Sequence, residues 1–231
     1  MRKTVRPFHK LEFYWTDAVE GKYDIPIIKP IYEVEDVEWI GFNYAKTEPH
    51  PENKGCHFFL DDYQFERVWN RPYLYLPILK RFKYVTAPAF SFYRDVSYAV
   101  SIYNHYRKHF LASYWQANGI QVIPVIHACW PDSWDWCFDG EPHNSVVATE
   151  TVGLFRDKEG RLVKSNAFME MQRRLNPNKI MVFGFDVFTD EVDRSLIEFH
   201  KMGTNERFDQ IHLAEINQQI EVANCGQVEL C

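Results

Sequence analysis

Glycine and cysteine are scarce in this chain of 231 residues, and the motifs built on them are missing. With only ten glycines, neither G-x-G-x-x-G nor G-x-x-x-x-G-K-[ST] occurs, which removes two common backbone cradles for nucleotide phosphates. No Gly-x-Ser-x-Gly elbow is present, so a hydrolase of that design is excluded. The five cysteines are an odd number without a C-x-x-C pair, which argues against a disulfide framework and for reduced thiols. No window reaches the ~18 consecutive apolar residues of a membrane span, and the opening MRKTVRPFHK lacks the apolar run of a secretory signal. The expected location is the cytoplasm, with no membrane partner. Excess positive charge is also lacking. A net charge of −6 and a pI near 5.9 argue against coating extended nucleic acid by phosphate neutralisation, while leaving room for a nucleotide or one extruded base.

What is present is apolar and aromatic. Hydrophobic residues make up 46% of the chain and aromatic residues 16%, enough for one well-filled domain. No Gly/Ser-rich or Pro-rich linker divides it. Residues 1–36 read as a lead-in packed across the bottom or side of the domain, 37–203 as an α/β domain, and 204–231 as a tail compatible with a helix. Six strands are expected, at 39–43, 57–62, 84–93, 121–128, 145–151 and 179–186. Helices are expected after Asp62 (broken at Pro72 and Pro77), from Asp95 to a stop at Gly119, over 165–175, and around 194–200. Strands alternating with helices predict a parallel sheet with helices outside it. The fold class is α/β, a parallel-stranded, partial or distorted (β/α) barrel-like single domain. It is preferred to a doubly wound sheet because no Gly-rich turn follows the first strand.

In such folds ligands sit at the C-terminal ends of the strands, and several polar residues of this chain fall there. Asp61 and Asp62 follow one strand; neighbours in a strand face opposite ways, so only one of them can face the mouth. Asp186 ends another strand and has no equally good capping role. Asp61, Asp62 and Asp186 are the candidate catalytic groups. Asp95 is read first as a helix cap and second as a ligand contact, beside Tyr63. Glu150 has the opposite strand parity to Thr149 and Thr151, so either it or the two threonines face the mouth; the threonines are taken as candidate hydrogen-bond donors. Trp130, Trp134 and Trp136 alternate with Asp132, Asp135 and Asp139. Trp130, Trp134 and Asp135 are taken as a clamp for a flat ligand, the competing reading being a hydrophobic plug. His57, His127, Cys129, Cys137 and His143 lack the close spacing of a zinc set, and no metal ligand is assigned. Clustered carboxylates keep Mg²⁺ or Mn²⁺ open as a cofactor.

The stretches HFFLDDYQFERVWN, PAFSFYRD, YWQANGIQVIP, W-x5-WCFDG and SVVATETVG together resemble a phage and prophage family known as domain of unknown function 4417. The resemblance covers about residues 20–185 and is carried by positions such as His57, Asp61, Asp62, Glu66, Asp95, Gln116, Asp139 and Gly140. It implies a mobile-element setting and supplies no activity. HACWPDSW replaces a shorter Ser-Trp turn of that family, and the tail is not Gly-rich as its ends commonly are. The favoured reading is an enzyme whose acidic and aromatic site binds a nucleobase, nucleoside or nucleotide. The alternative is a non-catalytic binder that sequesters a ligand or inhibits a host protein.

Overall fold

A short antiparallel hairpin, β1 (Val19–Glu20) with β2 (Ile25–Pro26), precedes seven parallel strands that lie side by side in chain order. β3 (Glu38–Gly41), β4 (Lys54–His57), β5 (Tyr84–Thr86) and β6 (Val122–Ile123) form one sheet; β7 (Val146–Glu150), β8 (Lys179–Phe183) and β9 (Ile197–His200) form a second. The computed structural model describes residues 10, 16–92, 97–127, 130–151 and 158–200. Asp95, Cys129 and the tail 204–231 therefore lie outside the described residues. Just past β6, Val125 pairs in parallel with Ala148 of β7. The Ala148 N–H donates to Pro124 O at 2.8 Å and the Ile126 N–H to Ala148 O at 2.8 Å, which links the two sheets. Among the described residues no strand pair joins β9 back to β3, so the fold is mixed α/β with parallel strands and without a closed barrel. Side chains of the two sheets nevertheless meet: Trp39 of β3 packs edge-on against Phe183 of β8 at 5.3 Å.

Among the described residues, four helices supply the outer layer. α1 (Asp62–Asn70) forms because Phe65, Val68 and Trp69 bury one stripe. α2 (Pro72–Leu79) starts on Pro72, where a missing N–H costs nothing, and carries Pro77 without a break. The break expected at Pro72 is found, at Arg71 between the two helices, and the one expected at Pro77 is absent. α3 (Tyr98–Ala117) is the longest helix and ends where expected, with Gly119 at φ +81°. From Asn104 to Trp115 nearly every α3 residue is buried, because a further layer covers its far side. The Gln116 side chain makes two hydrogen bonds with the Lys29 backbone (2.8 and 2.9 Å), and Ile28 N–H donates to Gly140 O at 2.9 Å. The lead-in segment is therefore tied to α3 and to the loop after β6. α4 (Lys158–Leu175) lays Ala167, Phe168, Met171 and Leu175 on Val147, Ile180 and Val182.

Two expectations are corrected. The helix expected around 194–200 is β9: Ile197–His200 extends along β8 in parallel register. Four residues are too few for periodicity to separate the two states, and Ile and Phe at alternate positions suit a strand. The strand expected at 57–62 lies earlier, at 54–57. It stops because Phe58 N–H bonds the Thr86 hydroxyl at 3.1 Å, and Leu60 N–H then closes a turn on Phe58 O at 2.9 Å.

Candidate functional site

The acidic residues expected at the strand ends are not gathered together. Asp61 occupies the N-cap position of α1, exposed, with Gln64 Nε2 3.5 Å from its carboxylate. Asp62 turns toward the loop after β5, where its carboxylate accepts from Ser91 N–H at 3.1 Å and from the Ser91 hydroxyl at 2.8 Å. Ser91 O accepts from Asn104 Nδ2 (2.7 Å), Asn104 Oδ1 accepts from Arg107 (2.6 Å), and Arg107 Nη1 donates to both oxygens of Glu66 at 2.8 Å. That chain of bonds fastens α1 and the β5 exit to α3. Asp186 pairs with Arg194 (Nε to Oδ2 2.7 Å), whose guanidinium also donates to the carbonyls of Phe188, Thr189 and Val192 and so folds the β8–β9 connection.

The ligand candidates are similarly dispersed. Tyr63 is 78% exposed. Thr149 and Thr151 lie on the helix-facing side of β7. The Thr149 hydroxyl donates to Ile126 O (3.0 Å) and receives Lys164 Nζ (2.8 Å), and the Thr151 hydroxyl donates to Phe185 O (2.8 Å). The space among Ile126, Thr149, Lys164, Ala167, Phe168 and Met171 offers about 10 Å³ to the centre of a water molecule, room for one water at most. Trp136 is fully buried, its indole N–H donating to the Tyr98 hydroxyl. Trp130 and Trp134 are half-buried, Trp134 packing on the core beneath, while Asp132 and Asp135 are exposed on the short 3₁₀ turn Pro131–Asp135.

Register brings other residues together. Glu150, Phe183 and His200 are cross-strand partners at the C-terminal ends of β7, β8 and β9, and parallel partners share a face. Phe183 on that face meets His200 (5.3 Å), His57 (5.6 Å) and Phe59 (4.6 Å). The parity left open in the sequence is thus resolved for Glu150, not for the threonines. His57 is 1% exposed, and among the described residues neither ring nitrogen has a hydrogen-bond partner. Burial pushes its pKa down to about 3, so the ring is neutral at pH 7. His200 Nε2 lies 3.0 Å from Glu198 Oε1, and burial lowers this imidazole too, against the pull of Glu198. Gly41, whose in-register partner is His57, keeps a Cβ out of this corner.

A second polar group is buried between α3, β2 and the loop after β6. Lys108 Nζ donates to Val125 O (2.7 Å) and to Glu141 Oε1. His109 places Nδ1 2.8 Å from Pro26 O and Nε2 3.1 Å from Glu141 Oε1. His105 places Nε2 3.0 Å from Asp139 O and lies against the His109 ring, tilted 54° to it with ring centres 4.3 Å apart. One donor atom each from His105, His109 and Glu141 lies within 4.8 Å of the others. Burial, opposed by Glu141, lowers the His109 pKa; burial alone would raise Glu141, but Lys108 and His109 hold its carboxylate below the usual range. The sequence signal for this cluster is the H-x-x-x-H spacing of His105 and His109, which sets two rings on one helical face. Glu141, 32 residues beyond His109, carries no such signal.

Comparison with known proteins agrees with the motif resemblance. The chain belongs to the family described as domain of unknown function (DUF4417), which matches residues 18–202. It is similar to the Gene 1 protein of Mycobacterium phage D29, 32% identical over 190 residues that span 80% of this chain and 69% of that protein. The Gene 1 protein of Mycobacterium phage L5 is 31% identical over 190 residues, 80% of this chain and 82% of that one. These relatives place the chain in a phage protein family. No solved structure matches it.

Proposed function

We propose that this protein is an enzyme of small-molecule metabolism in the phage setting, binding a nucleobase, nucleoside or nucleotide at the C-terminal ends of a barrel-like array of parallel strands. One observation carries the reading: the in-register row Glu150–Phe183–His200, with His57 against Phe183 from the other sheet. Aromatic faces flanked by an imidazole and a carboxylate suit a flat heterocycle, which stacks on the rings and shares hydrogen bonds along its edge. A neutral imidazole offers one donor and one acceptor; a carboxylate accepts from ring N–H or amino groups. In such a site Glu150 and His200 would exchange protons with the ligand, and Phe59, Phe183 and His57 would form the floor. Asp61 stands exposed at the rim. Asp62 and Asp186, engaged with Ser91 and Arg194, hold the rim loops in place.

The test is calorimetric titration of the full-length protein with nucleobases, ribonucleosides and mononucleotides. Saturable binding should vanish in His57→Phe and Glu150→Gln and persist in Asp186→Asn. Absence of binding across the panel, or binding indifferent to His57 and Glu150, would contradict the proposal. A host polypeptide co-purifying at fixed stoichiometry with no small ligand would favour the non-catalytic binder.

A further inference from the structure

We propose that His105, His109 and Glu141 form a buried site for one divalent transition-metal ion, Zn²⁺ being the cation their two imidazoles and one carboxylate suit best. The argument starts from hydrogen positions. Pro26 O and Asp139 O are carbonyls and can only accept, so His109 must donate through Nδ1 and His105 through Nε2. In the neutral form each ring then has a single bare nitrogen, Nε2 in His109 and Nδ1 in His105. His105 Nδ1 is buried and has no hydrogen-bond partner among the described residues, and neither has Glu141 Oε2. His109 Nε2 faces the Glu141 carboxylate at 3.1 Å. Two acceptors at that distance repel unless a proton or a cation lies between them.

The surroundings are those of ligating histidines. Such rings nearly always donate their second N–H to a carbonyl or carboxylate, which fixes tautomer and orientation; both rings do so here. The 3.1 Å separation of Nε2 and Oε1 is close to the edge of a tetrahedron with ~2.0–2.1 Å zinc bonds, about 3.3 Å. His105 and His109 come from one helix at i, i+4, and the acid comes from a separate loop, so a bound ion would clamp the 130–143 segment onto α3. Lys108 opposes a second cation, because its ammonium also holds Oε1. Oε1 carries the measured geometry, and Oε2, without a hydrogen-bond partner among the described residues, leaves the carboxylate free to meet the ion with its second oxygen as well. The ligands are fully covered, with His109 and Glu141 at 0% side-chain exposure, so the ion is expected to load as the chain folds.

The experiment unfolds the full-length protein in chelator and refolds it with or without added Zn²⁺. Metal content is then measured after desalting, and Co²⁺ is substituted to read the visible d–d spectrum. The expected result is one Zn²⁺ per refolded chain, a higher melting temperature than the chelated form, and a Co²⁺ band of four- or five-coordinate type that is lost in His109→Gln. Should the histidine variants fail to fold, Lys108→Met decides: relief of a like charge only a few ångströms away tightens Zn²⁺ binding at least about tenfold. A refolded wild type that retains no metal overturns the proposal, as does a Lys108→Met protein that binds no more tightly than wild type.

Discussion

Around α3, an ammonium, a carboxylate, an imidazole and two backbone carbonyls are joined in one chain of contacts, Val125 O to Lys108 to Glu141 to His109 to Pro26 O. At the strand ends, His57 is equally well buried and has no hydrogen-bond partner among the described residues. The first arrangement is a charge network compensated between Lys108, His109 and Glu141 Oε1, with His105 Nδ1 and Glu141 Oε2 left over at its edge. The second places an imidazole among Phe59 and Phe183 at a cost that folding alone does not offset. A buried polar group without a partner needs a reason outside the fold, and the ligand proposed above would supply one.

The comparison breaks most visibly if one charge of the α3 network is removed. In metal-free buffer, Lys108→Met should cost about 3–5 kcal/mol of stability in urea denaturation, because Glu141 is left buried and uncompensated. Replacing both residues, Lys108→Met with Glu141→Leu, should recover much of that loss. At the strand ends the opposite sign is expected: His57→Phe should raise stability at pH 7 by about 1–3 kcal/mol, by removing an unsatisfied buried group.

The acid limb sharpens the contrast. The His57 pKa is depressed in the folded state to about 3, against ~6.5 unfolded. The unfolded chain therefore binds more protons between these values, and stability falls as pH drops through this window. Between pH 7 and pH 5 this single group costs about 2 kcal/mol, a penalty that His57→Phe should remove. His105, His109 and His127 shift in the same direction, so some acid sensitivity should persist in that variant. Smaller effects are expected where carboxylates serve the scaffold. Asp62→Asn should cost about 1 kcal/mol by weakening its bonds to Ser91. Asp186→Asn should cost less than about 1 kcal/mol, because its pair with Arg194 is half-exposed. Chemical denaturation of each variant measures both.

The parallel strands and most helices were legible because β3, β7 and β8 are apolar runs bounded by turn formers, and because α3 ends on a glycine. The site was less so. Asp62 and Asp186 carry the residue type and strand-end position of functional acids, yet their hydrogen bonds run to Ser91 and Arg194, partners 29 and 8 residues away. Nothing in a one-dimensional pattern announces those contacts. Glu150 could be placed only as an alternative to Thr149 and Thr151, since parity narrows the choice and only the register with Phe183 makes it. His200 was hidden because a four-residue strand has too short a period to show. The α3 cluster was half visible, through the helical spacing of its two histidines; its acid comes from a loop that only tertiary packing brings near.

The most direct test is native mass spectrometry of the full-length chain mixed with the four ribonucleosides, run beside His57→Phe. The account predicts a one-to-one ribonucleoside complex on the wild type and none on the variant, with the variant the more stable fold. Identical spectra for the two proteins would contradict it, and would leave His57 a buried ring without a function.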